Sequence, residues 1–175
     1  MPTIFSHPMV SLALRAGFGK RVVSDRLLAT AAVCSVLPDI DVLAFHFDIP
    51  YASEFGHRGF THSIFFALAL ALVCTSAYRW LRVSPRAALI VTFVSTASHG
   101  FFDAFTNGGL GIAFFWPFSD QRFFFPAQMI EVSPIGINSF FNQRGWDVLY
   151  SEMIWMWLPL SVLGVLAYVI RRSLK

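Results

Sequence analysis

The chain has 175 residues, enough for one domain, with 56% hydrophobic and only 13% charged residues. Ordinary soluble domains hold about 45–50% apolar and about 25% charged residues, so a water-exposed surface could not be covered and a lipid-facing exterior is expected. The net charge of +3 comes from basic residues at the ends of apolar runs, a membrane-orientation pattern, so no nucleic-acid partner is expected. Cys34 and Cys74 lie in apolar stretches and read as small buried residues rather than a disulfide or a ligand pair.

No signal-peptide pattern opens the chain. An amphipathic run at 8–18 is the first element, followed by an apolar stretch at 27–47 interrupted by Leu37-Pro38-Asp39-Ile40-Asp41, where proline is expected to end or kink the helix. Three stretches, 62–80, 86–105 and 152–170, have the length of a bilayer crossing. Between 106 and 151 runs a Phe-, Pro- and Gly-rich connection suited to the membrane interface, where it would roof whatever lies beneath. The fold class read from this order is all-α: a single polytopic membrane bundle of four to five helices spanning 1–175.

Placing the 15–26 stretch, the 79–86 loop and the C-terminal tail, including Lys175, on one side gathers ten of the thirteen basic residues there. That side is expected to be cytoplasmic. The other side holds nine of the ten acidic residues. Acidic residues count little toward orientation, so their clustering asks for another cause.

A helical rise of about 1.5 Å per residue sets the heights of the polar residues above the basic end. Asp39, His99 and His7 fall at about 20 Å, His62 and Asp103 at about 25 Å, and Glu152 at about 28 Å. His99 and Asp103, four residues apart, share one helix face. Polar groups from separate helices at one depth of a bilayer point to a single interior site. Imidazole mixed with carboxylate suits a divalent cation, with zinc first and manganese or iron as alternatives. Blander roles stand beside these: Asp39 and Asp41 also suit a cap at the Pro38 break, Thr61 or Ser63 a helix N-cap, the His99–Asp103 pair an interhelical hydrogen bond, and His46 the interface.

The ordered set Leu37-Pro38-Asp39-Ile40-Asp41, His57-Arg58-Gly59-Phe60-Thr61-His62-Ser63, His99-Gly100-Phe101-Phe102-Asp103 and Thr106-Asn107-Gly108-Gly109 resembles the YdjM family of bacterial and archaeal inner-membrane proteins, regarded as metal-dependent hydrolases. The likeness runs from His7 to about Pro134. It implies a membrane-bound hydrolase with ligands at the matching His and Asp positions. More distantly, the order of His7, Asp39 or Asp41, His57 or His62, and His99 with Asp103 is similar to the zinc-dependent phospholipase C and P1 nuclease group. No histidine follows His99 here, so one or two metals are expected rather than three.

The expected function is hydrolysis of a phosphoester in a lipid or lipid-linked substrate. The expected metal ligands are His7, Asp39, His57, His62, His99, Asp103 and Glu152. Asp41 is expected to act as general base or further ligand, Arg58 as a catalytic phosphate holder, and Arg122 and Asn107 as substrate contacts. Two alternatives remain: ion or proton binding, and a structural metal. Localisation is expected in the cytoplasmic membrane, multi-pass, with the C-terminus cytoplasmic and the site near the outer face.

Overall fold

The computed structural model describes residues 1–134 and 141–174. Lys175 and residues 135–140 of the long connection lie outside the described residues. The architecture is all-helical: α1 Met9–Phe18, α2 Asp25–Val36, α3 Ile64–Ser76, a short α4 Tyr78–Leu81, α5 Pro85–Asp103, α6 Gln143–Glu152 and α7 Leu158–Ser173. A 3-10 segment, Leu37–Phe47, continues α2, and a π-turn, Met153–Trp157, joins α6 to α7. Among the described residues there are no β-strands, only isolated bridges at Thr106–Ile130 and Ile112–Phe123.

Local chemistry sets the boundaries. Ser24, Ser63 and Ser84 each accept the backbone N–H three residues on and so start α2, α3 and α5. The α-helix ends at Val36, just before Pro38, in keeping with the expected break. Pro38 stands near the start of a 3-10 run, where its missing N–H costs little, and the helical path continues to Phe47 with tighter winding.

Among the described residues, two helical runs are long and apolar enough to cross a bilayer, Asp25–Phe47 and Gln143–Ser173. The expected crossing at 62–80 is shorter as a helix: α3 covers 13 residues and breaks at Ala77. α5 covers 19 residues but carries buried Thr92, Ser95, Thr96 and His99. It packs against α1, α2 and α3 at the centre of the bundle, so these polar side chains face other helices, while its exposed Ile90 and Phe101 are apolar. α7 is the opposite case. Leu158, Val162, Leu163, Val165, Leu166, Val169 and Ile170 are exposed, an apolar surface that lipid would cover.

Small residues form the helix seams. Ala67 and Ala71 of α3 are buried. α1 and α7 run parallel, with Ala13 and Ala16 against Gly164 and Gly17 against Ala167, the close approach favoured between membrane helices. Cys34 and Cys74 face each other across α2 and α3 with Sγ atoms 3.8 Å apart, both free thiols.

The three basic stretches meet at one end. Arg26 donates to the Trp80 carbonyl, Ser24 to the Leu81 carbonyl, and Arg171 lies beside Gly19. Val23, Leu27, Ala31, Leu81, Ala88 and Val91 form a buried apolar core there. The histidines and buried carboxylates sit at the other end.

A candidate metal centre at the far end of the bundle

The 3-10 segment carries Asp39 and Asp41, the turn before α3 carries His57, Arg58 and His62, and the last turns of α5 carry His99 and Asp103. One donor atom from each of Asp39, His62, His99 and Asp103 lies within 4.8 Å of all the others, and all four residues are buried. Nε2 of His62 and Nε2 of His99 are 3.1 Å apart. Asp39 Oδ1 is 3.2 Å from His99 Nε2 and 3.9 Å from His62 Nε2, and Asp103 Oδ2 is 3.4 Å from His62 Nε2. Four ligands at about 2.1 Å from a tetrahedral zinc ion stand roughly 3.4 Å apart, so these separations fit one cation.

Hydrogen bonding fixes the imidazoles. His99 Nδ1 lies 2.7 Å from the Ser35 carbonyl, an oxygen that can only accept, so the ring proton belongs on Nδ1. His62 Nδ1 lies 3.1 Å from Thr61 Oγ1, whose own proton goes to Asp41, and 3.1 Å from Asp41 Oδ2, which places its ring proton on Nδ1 as well. Both Nε2 atoms then turn lone pairs toward the same point, and two neutral lone pairs at that distance repel unless a cation lies between them. The carboxylates agree with this: among the described residues, neither oxygen of Asp39 or Asp103 has a hydrogen-bond partner, although all four oxygens are buried. Leaving them so is costly, and a divalent cation removes the cost. The donor set therefore fits a metal.

Asp41 belongs to the frame around this cluster. His57 Nδ1 is 2.5 Å from its Oδ1, while the Arg58 N–H and the Thr61 hydroxyl donate to its Oδ2 at 2.9 and 2.7 Å. His57 is thus held by Asp41 and stands outside the group of four. Arg58 is 1% exposed and its backbone is left-handed, at φ 62, a rare conformation for a non-glycine residue. It is pinned on all sides. NH1 donates to the Gly108 carbonyl at 2.6 Å, NH2 to Thr106 Oγ1 at 3.0 Å, and Nε lies 3.4 Å from Asp103 Oδ2. Gly109 lies alongside at φ 91, where a Cβ would come within 2.6 Å of the guanidinium.

The remaining predicted residues take other places. His7 is fully buried, stacked on His99 with ring centroids 3.7 Å apart, and its Nε2 is 3.9 Å from Asp103 Oδ1. Glu152 is fully buried but turned to the N-terminal segment, accepting from the Thr3 N–H, from Thr3 Oγ1 at 2.7 Å and from Ser6 Oγ at 2.5 Å. Arg122 braces the preceding loop through the carbonyls of His57, Tyr51 and Ser53. Asn107 Oδ1 accepts the Val132 N–H. His46 is exposed.

Sequence reasoning assigned no function to Ser35 or to the Thr3–Ser6 segment, and it placed Thr61 only as a helix cap. The cap is Ser63; Thr61 serves Asp41. The Phe-rich connection covers this end through backbone bonds from Ile64 to Phe114, Ala113 to Arg58, Phe125 to Ala104 and Ile130 to Phe105.

Fold and site together define a helical-bundle membrane protein organised around a buried centre of two histidines and two aspartates. The profile of the YdjM inner membrane protein family matches residues 1–174, and the chain belongs to that family. It is 40% identical over 168 residues to the inner membrane protein YbcI of Escherichia coli (strain K12), covering 95% of this chain and 97% of that protein. No solved structure matches the chain significantly.

Proposed function

We propose that the protein is a membrane-bound metal-dependent hydrolase acting on a phosphoester of a lipid or lipid-linked substrate. The observation that carries this reading is the convergence of the His62 and His99 Nε2 atoms with the buried carboxylates of Asp39 and Asp103, whose oxygens have no hydrogen bond among the described residues. A divalent cation held there, zinc first and manganese or iron as alternatives, supplies Lewis acidity for a phosphoryl oxygen and acidifies water. The chain's own groups do the positioning. Asp41 and the Ser35 carbonyl orient the two imidazoles, and Arg58 holds Asp103 while countering its charge. The aromatic connection limits water.

Asp39 also borders a shallow apolar groove with Ile4, Val33, Leu37 and Ile40. An opening of that character beside the ligands favours a substrate delivered from the lipid phase. The gathering of basic residues at the opposite end supports a cytoplasmic C-terminus and a site near the outer face of the membrane.

A structural metal is the second reading. It is favoured by the complete burial of His99 and Asp103. Transport has less support, because the buried cluster around Leu27, Leu81 and Val91 at the basic end is built of apolar side chains and offers a cation no ligand. The deciding assay presents reconstituted protein with phospholipid vesicles and follows release of phosphate or phosphorylated headgroup. Chelator-sensitive turnover that disappears in His99→Ala supports the hydrolase; turnover retained in that variant contradicts it.

A further inference from the structure

The four-donor cluster leaves part of its surroundings unexplained. His7 is fully buried, and among the described residues neither ring nitrogen has a hydrogen-bond partner. A neutral imidazole always carries one N–H, so this side chain holds a buried donor and a buried acceptor, both unmatched. Such a group costs about 1–3 kcal/mol unless something else satisfies it.

Its surroundings point to what that is. The ring stacks on His99 with an interplanar angle of 16°, so Nε2 is delivered to the rim of the cluster. There it faces Asp103 Oδ1 at 3.9 Å. That oxygen is also buried and without a hydrogen bond among the described residues, and it is not the one nearest His62, which is Oδ2. Asp103 therefore turns one oxygen to the four-donor cluster and the other to His7. A carboxylate in this position can bridge two cations. A separation of 3.9 Å lies within the span of two ligands about 2.1 Å from a common ion.

Charge sets the condition for filling such a position. Asp39, Asp41, Asp103 and Glu152 bring four negative charges, and Arg58 and the Met1 ammonium two positive, with the histidines neutral. One divalent cation balances them. A second leaves an excess of two positive charges in a buried setting, which a phosphate dianion would cancel.

We infer that His7 and Asp103 Oδ1 form a second divalent-cation position, bridged to the first by Asp103 and filled together with a phosphate group. The inference rests on the hydrolase reading for its substrate class, but its test is stoichiometry rather than turnover. Purified protein is loaded with Mn2+ or Zn2+, with and without inorganic phosphate, desalted and counted by elemental analysis. The expected result is one equivalent without phosphate, two with it, and one under both conditions in His7→Ala.

A single equivalent in wild type under both conditions overturns the inference, as does a second equivalent that persists in His7→Ala. If His7→Ala loses both equivalents, His7→Asp decides, because it returns a ligand to the same place. Two equivalents restored support the second position; one or none overturns it. Two bound cations without phosphoester turnover would leave this inference standing and remove the hydrolase reading, so the two failures are distinguishable.

Discussion

His62 and His99 turn their Nε2 atoms toward each other at 3.1 Å while each Nδ1 is committed to an oxygen on a different element. The α2 backbone orients one ring and the carboxylate of the following 3-10 segment orients the other. The cluster is therefore held by groups that do not themselves belong to it.

Asp41 gives the first prediction. It contacts His62, His57, Thr61 and the Arg58 N–H without being one of the four. Asp41→Asn should leave the protein metal-binding but about 10–100-fold weaker, as expected when the partner of a ligating histidine is weakened. Competition against a chromophoric chelator measures this. Unchanged affinity would assign Asp41 to fold stability alone.

Arg58 gives the second. Removing its guanidinium leaves Asp103, Thr106 and the Gly108 carbonyl without their buried partner. Arg58→Ala should destabilise the protein by about 3–5 kcal/mol. Arg58→Lys should recover only part of the loss, since one ammonium cannot reproduce the planar fork. Thermal unfolding in detergent gives the comparison.

Gly100 follows His99 where α5 presses on the turn before α3. A Cβ there would meet the His62 carbonyl oxygen at 2.7 Å, a backbone atom that cannot swing aside. Gly100→Ala is expected to cost about 1–3 kcal/mol as an overpacking change, and to lower metal occupancy by displacing His62. Unfolding midpoint and bound metal should fall together.

Glu152 separates ligation from anchoring. Its oxygens take the Thr3 N–H and the Thr3 and Ser6 hydroxyls. Glu152→Ala should loosen the N-terminal segment, at about 1–3 kcal/mol for the stranded donors. The metal of the four-residue cluster should remain. Loss of that metal in a folded Glu152→Ala protein would show that Glu152 reaches the centre.

Much of the centre was legible because helical rise converts sequence position into depth. Asp39, His62, His99 and Asp103 fall within about 5 Å of depth from spacing alone, and the structure brings those four together. The same arithmetic put Glu152 at that depth but could not give its azimuth, and the helix presents it to Thr3 and Ser6. Arg58, Arg122 and Asn107 were harder still. Their partners are backbone groups of loops whose path depends on tertiary packing, such as the Gly108 and Tyr51 carbonyls and the Val132 N–H. The helical run that contains the last span begins at Gln143, with α6, earlier than expected, because Gln143, Arg144 and Asp147 are polar and merge in sequence with the connection before them.

The central claim is that His62, His99, Asp39 and Asp103 hold a divalent cation. Elemental analysis of purified wild type beside a variant with His99→Ala and Asp103→Ala tests it most directly. Stoichiometric zinc or manganese in the wild type, absent from the folded variant, is the predicted result. A wild-type protein that stays folded yet binds no metal after supplementation would contradict it.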